Sequence, residues 1–510
     1  MSLLELRPDV RPVSLADLAA ACGARLVRGD GALPVTGVTV DSTDVAPGEL
    51  FCALAGGCHH GAEFARDALA AGACAVLTDD VGAASIPDET PLLIADDPRA
   101  VVGLACAPLY DAAHRDVGLV GITGTNGKTT TTTILATLIE QAFGASGAFG
   151  TVEVRLGAQA TPSLRTTTEA PVVHRMLALA GQRELPAVVM EASSHAAVLG
   201  RTTGLTFDVM GFVNLQHDHL DFHHTMEGYY AAKASYFAPG RAKQGVVCLD
   251  DEWGTRLARE AQIPIRTVAT SREAGADLYA DGITPTDHGT RFTLMAGDRA
   301  IPIEMALTGR VMVQNAMVAI GCAEALGIDL ETIARGFSHI RPVPGRLEVV
   351  NERDETRPLC IVDFAHTAEA LDAVLTTLAE RTPGRLHIVF GCDGERDQSK
   401  RPVMGRVCAT LADVLYVTDE SPYNEDPTQI RSQIMSGVRE VRPDLRDVSE
   451  WDSRAAAVRA AVHRARAEDT VVVTGKGPER FQIIAGVYHP YNDVPVIREA
   501  LAELDAEADR

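Results

Sequence analysis

Residues 121–130 read Gly-Ile-Thr-Gly-Thr-Asn-Gly-Lys-Thr-Thr, directly after the apolar Val117, Leu119 and Val120 and directly before Ile134, Leu135, Leu138 and Ile139 at helical spacing. A strand, a glycine loop and a helix start in that order form the arrangement that cradles nucleotide phosphates. Gly124 and Gly127 free backbone N–H groups to face phosphate oxygens, with Thr125 and Asn126 between them, and the helix N-terminus adds partial positive charge. Lys128 and the Thr129 hydroxyl would serve the terminal phosphates and a Mg²⁺ ion, with Thr130 next in the nucleotide loop. The spacing departs from G-x-x-x-x-G-K-[ST]: Ile122 stands where the first glycine belongs, and Gly121 lies one residue early.

Outward from this loop, 510 residues predict about three domains, and a 46 % hydrophobic content supplies their cores. A net charge of −23 argues against a nucleic-acid footprint and for a cytoplasmic protein. Met1 to Val10 carries Glu5, Arg7 and Asp9 and lacks the apolar stretch of a leader, and no uncharged 18-residue apolar run predicts a membrane span. Ten cysteines, Cys58 among them, fall without C-x-x-C pairs, which predicts reduced and mostly buried thiols.

The pattern predicts an α/β chain in three units. Residues 1–114 form a small α/β unit with strands at Leu26–Val27, Val35–Val40, Leu50–Leu54, Ala75–Thr78 and Leu92–Ala95, and a helix over Ala62–Ala71. Residues 115–341 form a mostly parallel sheet that includes Ala187–Met190 and Val209–Asn214. Residues 342–510 resemble a dinucleotide fold, with strands at Cys360–Phe364, Leu386–Gly391, Val414–Thr418 and Thr470–Thr474, each ending in polar or glycine-rich residues. The Ala/Arg/Glu-rich segment near Arg454–Glu468 reads as a solvated helix.

Two central strands end in chemistry-bearing residues: Met190-Glu191-Ala192-Ser193-Ser194-His195, and Asn214 to Asp221. The histidines at 195, 217, 219, 223 and 224 invite a zinc reading, but no H-E-x-x-H motif is present, and Glu, His and phosphate together suit Mg²⁺ better. Glu191 and His219 stand out from this group. Lys233 sits on a helix whose other face is apolar.

Taken with Asn315, Gly345-Arg346, Asp363-Phe-Ala-His366 and Gly475-Lys-Gly, these ordered motifs resemble the Mur ligase family along essentially the whole chain. Among its members the chain looks most like those that add the third residue, a diamino acid, to UDP-N-acetylmuramoyl-L-alanyl-D-glutamate. The resemblance implies an ATP-dependent amide ligase of peptidoglycan synthesis working through an acyl phosphate, with ATP and Mg²⁺ as cofactors. Lys128, Lys233, His219 and Arg346 would be catalytic, and Thr129, Glu191, His219 and a carbamylated Lys233 would hold metal. The glycine loop with Asn315 and Asp363 would bind ATP. Ser42, His60, Thr166, Thr167, Ser193 and Arg201 would bind the UDP substrate, although Leu199 stands where some members carry a polar residue. The family pattern further implies a cytoplasmic monomer with a free amino acid as third partner.

For that amino acid the resemblance points to Arg396, Glu420, Ser421, Tyr423, Gly475 and Glu479. Diaminopimelate-adding members carry Asp-Asn-Pro-Arg where this chain has Glu420-Ser421-Pro422-Tyr423. An arginine fork would clamp the distal carboxylate, and its loss costs on the order of 2–5 kcal/mol. Together with Glu420 and nearby Glu425 or Asp426, Tyr423 favours an L-lysine-type acceptor, with meso-diaminopimelate as the alternative if another cation serves the distal carboxylate. Pro478 replaces a histidine frequent in relatives. The other readings are a paralogue that works on a different carrier and a P-loop motor ATPase.

Overall fold

The computed structural model describes residues 3–57, 59–163, 165–286 and 289–508. Met1, Ser2 and Cys58 lie outside them. Three sheets follow one another along the chain. The first runs in the order Arg25–Arg28, Leu92–Ile94, Ala75–Thr78, Glu49–Cys52, Gly37–Thr39. Only Arg25–Arg28 is antiparallel to its neighbour. The helix expected over Ala62–Ala71 starts as a 3₁₀ turn, Gly61–Phe64, and continues as Ala65–Ala71 to a left-handed Gly72.

The second sheet has eleven strands. Its parallel centre runs Gly147–Phe149, Ala187–Glu191, Gly118–Thr123, Phe207–Phe212, Ala242–Cys248, Ile265–Ala269, Leu278–Thr286. Gly118–Thr123 is flanked on both sides and covered on both faces, which accounts for its unbroken apolar run. Gly121 belongs to this strand: a Cβ there would stand 2.4 Å from Met210 Sδ and 2.8 Å from the Phe207 ring. The early glycine is therefore a packing residue, and the phosphate-type loop begins at Gly124. Antiparallel strands extend both edges, Glu153–Leu156 with Gln159–Pro162 on one side and Gly289–Ala296 with Arg299–Met305 on the other. Sequence patterning did not announce them.

The third sheet, Glu348–Asn351, Leu359–Val362, Thr470–Val473, Leu386–Phe390, Val414–Val417, Val448–Glu450, is parallel except at its first strand. All four expected strands are present. A hairpin, Phe481–Ile484 with Val487–Pro490, follows its last central strand. The expectation of a solvated helix near Arg454 is corrected: Arg454–Arg464 buries Ala457, Val458, Ala461 and Val462 against the sheet. Arg454 itself is fully buried in an ion pair with Asp493 at 2.8 Å. Alanine-rich composition hid a stripe of small core residues. Among the described residues the cysteines are free, all buried except the half-buried Cys74, and no helix is long and apolar enough to cross a membrane.

Candidate active site

The carboxyl ends of Gly118–Thr123, Ala187–Glu191 and Phe207–Phe212 meet beside the strand from which the chain departs to both sides of the sheet, the usual ligand crevice of such folds. Facing them are the loops after the third sheet's strands. Between the two lies a cleft of about 1030 Å³, lined by Thr125 to Thr130, Thr166, Glu191, His219, Asn315, Arg346, Asp363, Arg396, Ser421, Tyr423 and Glu479 among others. Residues some three hundred positions apart in sequence thus share one cavity.

Gly127, at φ +86°, caps the helix Lys128–Phe143, whose first turn carries no acidic residue. Its backbone N–H groups therefore open onto the cleft as an anion site. A Cβ at Gly127 would lie 2.1 Å from Asn315 Oδ1, a buried oxygen that has no hydrogen-bond partner. Lys128 Nζ donates to the carbonyls of Gly124 at 2.9 Å and Thr125 at 2.8 Å. Desolvation lowers its pKa, opposed by the charges of Glu191 and Asp218. Glu191, buried at the end of its strand, accepts from Thr151 N–H at 2.7 Å and the Thr151 hydroxyl at 3.0 Å. From the opposite wall Arg346 Nη2 donates to the Thr129 hydroxyl at 3.1 Å, and the guanidinium carbon lies 4.3 Å from the Phe364 ring centre. Asp363 accepts from the backbone N–H groups of Leu347 and Ala365, both at 2.7 Å, and so ties the segment that carries Arg346 to the third sheet.

His219 sits in left-handed backbone, φ 54°, with Nε2 3.4 Å from Asp218 Oδ2. Desolvation pushes its imidazole down to about 3, against the pull of Asp218. It is neutral near pH 7 and can offer a lone pair to a metal. Lys233 is not on the cleft surface. It is buried behind the loop, where Nζ donates to Gly124 O at 2.8 Å and lies 4.6 Å from the Tyr229 ring centre. Burial, aided by Lys128, drives its pKa well below the usual ammonium value.

Arg396, Ser421, Tyr423 and Glu479 line the C-terminal end of the same cleft, with Glu420 and Gly475 packed behind them. Tyr423 is locked by the hairpin: its N–H donates to Ile483 O at 3.1 Å and its carbonyl accepts from Ala485 at 2.7 Å. The Arg396 guanidinium stacks 5.2 Å from its ring. Pro478 packs against Gly345, since a Cβ there would stand 2.2 Å from Pro478 N. Two acidic residues expected to face a side-chain ammonium are committed elsewhere. Glu425 is gripped by Arg401 at 2.6 Å and 2.8 Å, and Asp426 caps the helix Pro427–Val441. Glu420 is buried, Oε2 has no hydrogen-bond partner, and burial next to Asp393 pushes its carboxyl up to about 7.

Of the residues expected at the UDP substrate, Thr166 alone lines this cleft; its hydroxyl meets that of Thr151 at 3.1 Å. Thr167 and Ser193 bond to each other, and the Ser193 hydroxyl caps the helix Ser194–Val198. Arg201 pairs with Glu169 at 3.0 Å and donates to Thr167 O at 3.1 Å, so a substrate carboxylate would have to compete with Glu169. Ser42 lies in a turn of the first unit. His60 uses both ring nitrogens locally, toward Asp79 at 3.2 Å and Ala62 N–H at 3.1 Å, as a helix cap rather than a free base-binding group.

Asp218 stood in the sequence as part of the Asn214–Asp221 cluster with no role of its own, and Lys400 was missed. Asp218, nearly fully buried, has Lys400 Nζ at 3.6 Å and His366 Nε2 at 3.8 Å, both from the C-terminal unit. Burial works to raise its carboxyl, yet His366, Lys400 and His219 outweigh that and hold it well below the usual carboxylate range. His217 lies 3.7 Å from Asp397 across the same seam. No motif spacing links positions 218 and 400, so only the fold brings them together.

A phosphate-type loop that shares one cleft with Arg346, Arg396 and Glu479 of a second domain defines an ATP-dependent amide ligase. Family models agree: the Mur ligase middle domain matches residues 122–323, the Mur ligase glutamate ligase domain residues 345–477, and the Mur ligase family catalytic domain residues 34–105. The chain belongs to the Mur ligase family. It is 42 % identical over 501 residues, 97 % of each chain, to the UDP-N-acetylmuramoyl-L-alanyl-D-glutamate–2,6-diaminopimelate ligase of Streptomyces avermitilis. The ligase of that name from Corynebacterium glutamicum is 39 % identical over 485 residues, 93 % of each chain. A solved structure of such a ligase aligns with TM-score 0.65 at 30 % identity, covering 98 % of this chain and all of that one. MurF of Thermotoga maritima in complex with ADP shares the fold at 18 % identity and TM-score 0.64, covering 93 % of this chain and 99 % of its own.

Proposed function

We propose that this chain joins a diamino acid to UDP-N-acetylmuramoyl-L-alanyl-D-glutamate at the expense of ATP, as a cytoplasmic monomer whose three domains are 1–114, 115–341 and 342–510. The observation that carries the reading is the single cleft in which the Lys128 loop, Glu191 and His219 face Arg346, Arg396 and Glu479. The orphaned Asn315 oxygen beside Gly127 suits the exocyclic amine of adenine. Hydroxyl, carboxylate and neutral imidazole donors at Thr129, Glu191 and His219 suit Mg²⁺, which when bound neutralises phosphate oxygens. Lys128 and Arg346 add fixed positive charge from opposite walls where charge builds up during phosphoryl transfer, so positioning and electrostatics supply the acceleration. The substrate γ-carboxylate would take the phosphoryl group from ATP, releasing ADP and leaving an acyl phosphate; the unprotonated α-amine bound near Arg396 and Glu479 would attack the acyl carbon, releasing phosphate and a proton as the amide forms. Arg396 would hold the α-carboxylate and Glu479 the α-amine. Burial drives the pKa of Lys233 well below the usual ammonium value, which favours the free amine that would add CO₂ to give a carbamate and a proton, turning a cation into an anionic oxygen donor.

For the acceptor we infer meso-2,6-diaminopimelate. The relatives reported above are named for 2,6-diaminopimelate, and of the three acids set against a lysine ammonium Glu425 and Asp426 are already engaged, which leaves only the buried Glu420. L-Lysine is the second reading, favoured by Tyr423 in the arginine position. Phosphate release with the UDP-dipeptide and each amino acid separates them: faster turnover with diaminopimelate is expected, and faster turnover with lysine transfers the assignment. Phosphate release that does not depend on the dipeptide would remove the ligase reading altogether.

A further inference from the structure

Away from the cleft, the first unit's long helix, Pro98–His114, packs along the central unit's helix Ala170–Gln182. The two backbones nearly touch, since a Cβ on Gly181 would stand 1.7 Å from Ala113 O. At this contact Asp111, His114 and His174 each present one donor atom, all within 4.8 Å of one another. Asp111 Oδ1 lies 3.4 Å from His114 Nε2 and 3.9 Å from His174 Nδ1.

The protonation of His174 follows from its partner. Its Nε2 stands 3.0 Å from the Thr203 carbonyl, which can only accept, so Nε2 carries the proton and Nδ1 presents a bare lone pair. The His174 side chain is fully buried, and neither its Nδ1 nor the buried His114 Nε2 has a hydrogen-bond partner. Two buried ring nitrogens left without partners are costly in a packed interface. An imidazole whose far N–H is fixed by a carbonyl, and whose near nitrogen is free beside a second imidazole and a carboxylate, is the usual setting of a metal ligand.

We propose that Asp111, His114 and His174 bind a Zn²⁺ ion, with water as fourth ligand, and that the ion staples the N-terminal domain to the central domain. Two imidazole nitrogens and one carboxylate oxygen match zinc's preferred donors, and tetrahedral coordination sets such donors about 3.3 Å apart. The Asp111–His114 separation already has that value, and His114, at a helix end and partly exposed, can turn toward His174. The site lies on the domain that would hold the UDP end of the substrate, so the ion's role is to set domain orientation rather than to take part in phosphoryl transfer.

The test uses full-length protein made without a histidine tag and stripped by chelator, then titrated with Co²⁺ as a visible probe and with Zn²⁺. One equivalent of Co²⁺ should give the ligand-field bands of a four-coordinate site, Zn²⁺ should displace it, and Zn²⁺ should raise the thermal midpoint by several degrees. His114→Ala and Asp111→Asn, both at the partly exposed rim, should lose the bands and the shift while keeping ligase activity in Mg²⁺. Absence of bands in the unmodified protein overturns the proposal. So does their persistence in both variants, or their loss only in His195→Ala, which would place the ion in the active-site histidine group.

Discussion

Lys233 shows how far a residue's chemistry depends on its surroundings: in a list of residues it is a surface lysine, whereas here its amine is buried against the Gly124 carbonyl and pushed toward neutrality. Lys233→Ala should abolish amide formation, and short carboxylic acids should restore part of it if a carbamate is the working form; rate measurements with and without acetate decide. Glu420 titrates in the opposite sense. Its folded carboxyl holds its proton up to about 7, while the unfolded one releases it near 4.5. Across that window the unfolded state binds fewer protons, so stability falls as pH rises and levels off above it. Glu420→Gln should flatten this decline and add on the order of 1–3 kcal/mol at about pH 8, read from urea unfolding at about pH 5 and about pH 8.

At the scale of elements, the strand, loop and helix around residues 118–143 were legible because each part has a local signature: an apolar run, two glycines, then helical periodicity. The role of Gly121 was not, because the Phe207 ring that demands it comes from another strand. The antiparallel edge strands and the hairpin beside Tyr423 were missed for a related reason: short, half-exposed strands carry weak patterning, and pairing gives them their definition. Gly127 combines both kinds of constraint, a positive φ and the Asn315 oxygen 2.1 Å from where a Cβ would be. Gly127→Ala should therefore strain the folded loop by about 1–3 kcal/mol, lowering the thermal midpoint without nucleotide by a few degrees, and weaken ATP binding about tenfold by displacing the phosphate-facing N–H groups. Calorimetric titration with ATP checks it.

Across the whole molecule, the central and C-terminal domains are joined by Asp218 with Lys400 and His366, by His217 with Asp397, and by Arg346 with Thr129. Removing one partner of a buried charge group costs about 3–5 kcal/mol. Lys400→Met should therefore loosen the closed arrangement. X-ray scattering should show a larger radius of gyration, and kcat should fall more than the affinity for ATP, because the phosphate loop is intact while the opposing wall is displaced.

By itself the sequence determined the α/β class, the order of the three domains, the nucleotide loop and the ligase family, since these rest on local patterns and on motifs that recur in order. It also yielded part of the cleft's lining, from Thr125 to Glu479. Tertiary structure decided which acids are free and which are spent, and so moved Glu425 and Asp426 out of the acceptor argument and revealed Asp218, Lys400 and the Asp111–His114–His174 group. The physical reason is that a side chain's charge state and availability depend on burial and on partners hundreds of residues away, and neither is encoded in spacing along the chain.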